Sequence, residues 1–251
     1  MGHLISTRTS QFSYFGQILK QAVWKGTKIL DFGGNVGGFL TGARDLVDHK
    51  DYWCLDVQTC ALEQGRRKFP GANFVHFNRY SSEFNPGGVR YLPVPDFDVR
   101  FDMILAFSVF THIHQNEMLE LVAQLRRRLA RKGVIAFTFA DPAYDRSLSD
   151  PDLPSGTDVR KNLEWRRVKN SPRDIHEIVE RARGSRWCVL INEDLYVEPG
   201  KEMCHQERKG VPWESYCAYY AVDYMASLFP DATLFAPVSP EWQHCCVLRN
   251  A

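Results

Sequence analysis

Through residues 1–140, short apolar runs alternate with longer stretches in which apolar positions recur at helical spacing. The runs at 28–32, 52–57, 73–77, 101–107 and 134–139 contain few polar positions, which predicts strands covered on both faces. Helices are predicted over 14–24, 37–47, 59–68 and 115–131. In the last of these, Leu121, Val122, Leu125 and Leu129 share one face, and Gly133 marks the end. Regular alternation of this kind predicts an α/β fold, a doubly wound and mostly parallel sheet.

The alternation breaks between Asp141 and Glu214. A loop rich in Pro, Asp and Ser (142–158) leads to a helix with Ser171 as its cap, Pro172 at its first position, and Ile175, Ile178, Val179 and Ala182 on one face. Strands over 187–192 and 195–197 follow. The earlier pattern resumes with a helix over 215–229, closed by Pro230, and strands over 233–237 and 243–249. Ser239-Pro240-Glu241-Trp242 joins these last two, a connection that suits an antiparallel hairpin at the sheet edge. The expected organisation is a seven-stranded sheet whose last strand is antiparallel, built from 1–140 and 215–251, with 141–214 inserted after strand five as a cover.

Charge narrows the partners. With 31 basic and 30 acidic residues the net charge is +1, which provides no field for nucleic acid or an anionic membrane. Arg126, Arg127 and Arg128, with Arg131 and Lys132, fall at a predicted helix end, where cations complement the dipole. The seven cysteines are odd in number and scattered, with no Cys-x-x-Cys pair, and read as reduced thiols. No apolar run approaches the roughly 20 residues of a membrane span. A cytoplasmic monomer or homodimer is expected, with a small-molecule partner.

The segment Lys28 to Phe39 carries the strongest chemical signal. An apolar strand passes through Asp31 into Gly33, Gly34, Asn35, Gly37 and Gly38, then into a helix, so a ligand can approach the main chain closely. The pattern resembles motif I of the class I S-adenosylmethionine-dependent methyltransferases, with Asn35 in the middle glycine's place. Residues 33–38 also approximate the Gly-x-Gly-x-x-Gly of dinucleotide folds. A carboxylate at Asp31 would repel a pyrophosphate and suits a donor bearing an ammonium and a sulfonium.

The resemblance covers roughly residues 12–140 and 215–250, and implies a Rossmann-like methyltransferase fold, S-adenosylmethionine as cofactor and methyl transfer as the reaction. Asp56 ends the second strand near the spacing at which nucleotide folds place an acid for the ribose hydroxyls, and an N-cap role is also open to it. By the resemblance Asp56 holds the ribose between Val57 and Gln58. The main chain from Gly33 to Gly37, including Gly34 and Asn35, holds the methionine portion, and Asp31 is counted with the cofactor-binding residues. Asn78 or Tyr80 contacts adenine, and Ser108, Val109 and Phe110 border the cofactor after strand four. Phe107 or Phe110 could face the sulfonium, or simply fill the core.

Methyl transfer needs alignment and desolvation of the nucleophile more than it needs a base. The catalytic candidate is His112, after strand four, since imidazole can take a proton near neutrality. Further candidates are His114, Asp141, Tyr144, His176, Glu193, Asp194 and His205. His112-Ile113-His114 lacks a companion Cys or Glu motif, and no metal is expected. In the insertion Trp165, Trp187, Tyr196 and Trp213 offer aromatic walls for an acceptor. The expected function is methylation of an oxygen or nitrogen on a small molecule, of secondary-metabolite type. The alternatives are a non-methylating cyclase or scaffold of the same fold, a protein methyltransferase, and an NAD(P)-dependent reductase.

Overall fold

The computed structural model describes residues 2–166, 174–191, 194–197 and 216–250. Helix α1 (Gly2–Leu19) precedes β1 (Ile29–Phe32), α2 (Gly38–Ala43), β2 (Tyr52–Asp56), α3 (Thr59–Lys68), β3 (Asn73–His76), β4 (Phe101–Ala106), α4 (Gln115–Arg126) and β5 (Leu129–Phe139). Then come α5 (Asp158–Arg166), α6 (Ile175–Arg183), β6 (Trp187–Ile191), β7 (Asp194–Val197), β8 (Tyr216–Tyr220), α7 (Val222–Leu228), β9 (Thr233–Phe235) and β10 (His244–Arg249).

The main sheet has the order β3-β2-β1-β4-β5-β10-β9. β1, β2, β3, β4 and β5 pair in parallel, and β10 runs antiparallel to both β5 and β9. The expected sheet, with its antiparallel last strand, is therefore the one observed. Apolar clusters cover its two faces. One gathers Leu30, Ile104, Phe110, Leu125, Phe137 and Phe229; the other gathers Phe15, Ile29, Phe39, Tyr52, Leu105 and Val247. Neighbouring strand residues point to opposite faces, which accounts for runs that are apolar throughout.

Several elements depart from the sequence reading. The predicted helix 14–24 ends at Leu19, because Lys20 adopts a positive φ of 51° and Gln21 N–H bonds back to the Gly16 carbonyl. Trp24 stays buried without being helical. The helix predicted over 37–47 is helical only to Ala43 and finishes as a 3₁₀ turn at Arg44–Leu46.

The third departure is α4, which stops at Arg126, so that Leu129 already pairs with Phe101. Gly133 is then a strand residue and not a helix stop. A Cβ there would meet the Phe101 carbonyl oxygen at 2.8 Å. The fourth is the helix predicted over 215–229, whose first half is strand β8. Tyr216 to Tyr220 are all buried and pair antiparallel with Trp187–Ile191, and only Val222–Leu228 is helical. A run with no polar face cannot be assigned by period, and its partner strand decides.

Within the expected insertion β7, β6 and β8 form a separate three-stranded sheet, backed by α5 and α6 through Val159, Leu163, Ile178, Val179 and Ala182. Its strand pair matches expectation. Helix α5 has no counterpart in the predicted elements, and α6 is capped by Asp174, whose side chain accepts from His176 N–H. Ser171 and Pro172, the expected start, lie outside the described residues. β8 pairs with β6, so this small sheet extends to Tyr220. Tyr220 N–H donates to the Ala140 carbonyl at 2.8 Å, so the cover rejoins the core where it left.

Candidate active site

Beyond β1, the chain turns through Gly33 at φ 77° and Asn35 at φ 55° before Gly37, at φ 79°, starts α2. Gly33 N–H bonds the Leu55 carbonyl at 2.7 Å, which ties the turn to the end of β2. There Asp56 is buried, and each of its oxygens accepts one main-chain N–H at 2.8 Å, from Asn35 and from Gln58. The Asn35 and Gln58 side chains bond at 3.1 Å. Asp56 thus organises the turn ahead of α3 and also stands on a cavity wall. A carboxylate can accept about four hydrogen bonds, so two anchoring amides are compatible with ligand hydroxyls.

The cavity opens at the carboxyl edge of the parallel strands and measures about 500 Å³. It brings together Gly33, Gly34, Asn35, Asp56, Val57, Gln58, Tyr80, Ser108, Val109 and His112 from the expected set. Four expected residues are absent from its lining. Asp31 lies beneath the turn, 3% exposed, where it accepts from the Tyr52 hydroxyl at 2.6 Å. Burial, opposed by that hydrogen bond and reinforced by Asp56, pushes its carboxyl up to about 7. A Cβ on Gly34 would meet this carboxyl at 2.5 Å, so the glycine is required by what lies under it.

The other three absences have equally direct causes. Gly37 packs against Phe69. Asn78 accepts from the Asn85 side chain at 3.1 Å. Phe110 is fully buried against Phe32 and Phe137, and so belongs to the core.

Ser108, after β4, is a non-glycine residue at φ 56°, a conformation that costs about 1–2 kcal/mol. Phe107, its neighbour, also reaches the cavity, with its ring edge-on to Tyr14 and Phe15. His112 lines the cavity as well. Its Nδ1 lies 3.2 Å from a Glu83 oxygen, and the Phe84 ring meets it edge-on. That pairing leaves Nε2 as the nitrogen to hold or take a proton.

The other basic and acidic candidates stand elsewhere. His114 is buried as the cap of α4, its Nδ1 accepting from Asn116 N–H at 3.2 Å, and burial lowers its pKa. Asp141 accepts from Ala143 N–H, and Tyr144 stacks edge-on to His244. His176 is exposed beside Arg160. Trp187 is buried against Tyr220, and Tyr196 is half-buried in the cover. Glu193, His205 and Trp213, and the side chains of Trp165 and Asp194, lie outside the described residues.

Several lining residues gave no sequence signal. Arg79, 3% exposed, donates to Glu117 at 2.7 Å, to Glu120 at 2.9 Å and to the Leu92 carbonyl at 2.7 Å. This cluster clamps the connection after β3 onto α4. Burial raises the Glu117 carboxyl although Arg79 opposes the shift. Glu241, Trp242 and Gln243 approach from the segment before β10. Nothing local in the sequence distinguishes such residues, because each acquires its role from a partner distant in the chain.

Residues 30–135 match the family described as a methyltransferase domain. No curated protein matches the chain in sequence. Among solved structures the chain is similar to a S-adenosylmethionine-dependent methyltransferase from Clostridium acetobutylicum, with TM-score 0.54 and 12% identity over 98% of this chain and 92% of that one. It is similar to a SAM-bound amino pentose methyltransferase from Micromonospora echinaspora involved in calicheamicin biosynthesis, with TM-score 0.52 and 12% identity over 98% and 91%. A glycopeptide N-methyltransferase complexed with sinefungin aligns at TM-score 0.51 and 12% identity over 95% and 85%. At these identities the likeness is one of fold.

Proposed function

We propose that this chain, a S-adenosylmethionine-dependent methyltransferase of class I fold, methylates an oxygen or nitrogen of a small-molecule acceptor. The observation that carries the reading is the single cavity wall that joins the Gly33-Gly34-Asn35 turn to Asp56. Its main chain is open to close approach, and its acid is already oriented. The cavity falls in the range of about 300–1,000 Å³ typical of small-molecule sites. The amino pentose and glycopeptide acceptors of two fold neighbours give the reading its direction toward secondary metabolites.

When bound, S-adenosylmethionine supplies a methyl carbon activated by its sulfonium. Asp56 would hold the ribose hydroxyls, and the turn from Gly33 to Asn35 would hold the methionine portion. Val57, Gln58 and Tyr80 would border the nucleoside. Val109 and Phe107 line the same cavity and would exclude water from the reacting end. His112, fixed through Nδ1 by Glu83, offers Nε2 to take the acceptor's proton.

Calorimetric titration with S-adenosylmethionine and, separately, with NADP tests the reading. Micromolar binding of the methyl donor and none of NADP is expected, and NADP binding alone would make the protein a reductase. His112→Ala should leave donor affinity nearly unchanged and lower turnover by about 100-fold. Unchanged turnover would remove His112 as the base.

A further inference from the structure

We propose that Gln243 is a positioning residue for the cofactor-side wall, holding Ser108 in its left-handed conformation so that Val109 stays seated on the glycine turn. The inference rests on the S-adenosylmethionine reading above. It begins from the backbone at Ser108, a serine at φ 56° directly after β4, on the cavity wall. A closed circuit of hydrogen bonds surrounds it. Ser108 N–H donates to Thr138 Oγ1 at 2.7 Å, Thr138 Oγ1 donates to Gln243 Oε1 at 2.5 Å, and Gln243 Nε2 donates back to Ser108 Oγ at 2.9 Å.

Two further bonds anchor the circuit. Thr111 Oγ1 donates to the Ser108 carbonyl at 3.1 Å, and the Tyr14 hydroxyl donates to the Gln243 carbonyl at 2.8 Å. Thr138 is 0% exposed and Gln243 3%, so the bond between these two side chains is made in the interior. The circuit therefore joins the ends of β4 and β5, the approach to β10, and α1.

The turn at Ser108 has a geometric consequence at the glycine loop. Val109 Cγ2 occupies a point 2.4 Å from where a Cβ on Gly33 would stand. Val109 thus fills the space that a side chain at Gly33 would need, and borders the cavity beside the Gly33 main chain. If Ser108 relaxes toward a negative φ, Val109 leaves this seat, and the pocket floor changes shape without loss of a residue that touches the ligand.

A merely structural glutamine and a positioning one respond differently to glycine at 108. Glycine adopts a positive φ without the Cβ penalty, so the turn ceases to depend on the amide. S-adenosylmethionine affinity is measured by calorimetry, with thermal unfolding alongside, in Gln243→Leu, Ser108→Gly and the double variant. Gln243→Leu should weaken binding by about tenfold and Ser108→Gly by less than about threefold. In the double variant affinity should return to within about threefold of Ser108→Gly, while the melting temperature stays lowered.

If Gln243→Leu fails to fold, Thr138→Val keeps the shape, breaks the same circuit, and should show the same loss and the same rescue. Equal losses with and without Ser108→Gly, or no loss at all, would overturn the proposal. No binding of S-adenosylmethionine by the unaltered protein would instead overturn the cofactor reading, and this inference with it.

Discussion

Two walls of the same cavity are built in different materials. The wall formed by the Gly33 turn and Asp56 is set by main chain: Gly33 N–H on the Leu55 carbonyl, and Asn35 and Gln58 amides on one carboxylate. The wall formed by the connection after β3, the segment after β4 and the approach to β10 is set by side chains, through Arg79, Glu83 and Gln243. The donors of the first wall are all main chain and survive most substitutions, Asp56 being the one side chain on which two of them converge. A wall of side chains can be lost through one residue, and it can also be altered without disturbing the sheet.

The largest expected effect lies on the side-chain wall. Arg79→Met strips the partner from Glu117, whose carboxyl burial already disfavours, and should cost about 3 kcal/mol or more in urea unfolding. A loss under about 1 kcal/mol would mean that the connection after β3 is held by its own turns. Next comes the main-chain wall. Asp56→Ala removes the acceptor for two amides and for ligand hydroxyls, and each charge-assisted bond contributes about 1.5–3 kcal/mol, so donor affinity should fall at least about tenfold by calorimetry. Unchanged affinity would refute the pocket assignment.

A third test reaches below the main-chain wall and is read from pH. The buried Asp31 carboxyl, raised to about 7 from an ordinary 3.8, keeps its proton in the folded protein where the unfolded chain has lost it. The stability this contributes is complete below the ordinary value and is lost as pH rises through about 7. Between about pH 5 and pH 8 the melting temperature of the unaltered protein should drop by a few degrees more than that of Asp31→Asn. Parallel curves would show that Asp31 is ionised throughout.

The smallest effect is expected away from both walls. Arg126 and Asp231 form an exposed ion pair at 2.6 Å, and Arg126→Ala should change stability by less than about 1 kcal/mol and leave donor affinity as it is.

The same division decides what was legible in the sequence. The Gly33 turn and Asp56 could be located because strand, turn and helix follow one another locally, and the glycine spacing is itself the geometry. Asp31 belongs to that motif but serves beneath it. What the sequence could not show is that Tyr52, which pairs in register with Ile29, would donate its hydroxyl to Asp31. Tyr216 to Tyr220 carry no period, and pairing with Trp187–Ile191 makes them a strand. Glu83 and Gln243 are ordinary polar residues in irregular segments. Their importance arises from His112 and Ser108, which lie far from them in the chain.

The hydrogen bond from Tyr220 N–H to the Ala140 carbonyl has a meaning beyond the stability of the cover. A segment whose two ends meet at one point on the host can be lengthened, shortened or exchanged while the host strands stay in register, much as a cassette is changed in a fixed player. The condition is that a replacement keep the face made by Trp187, Val189, Tyr216 and Tyr220, which packs into the same core as Phe110 and Phe137. Acceptor preference could then diverge among descendants of this chain by replacement within 141–220, with the methyl-donor chemistry inherited intact.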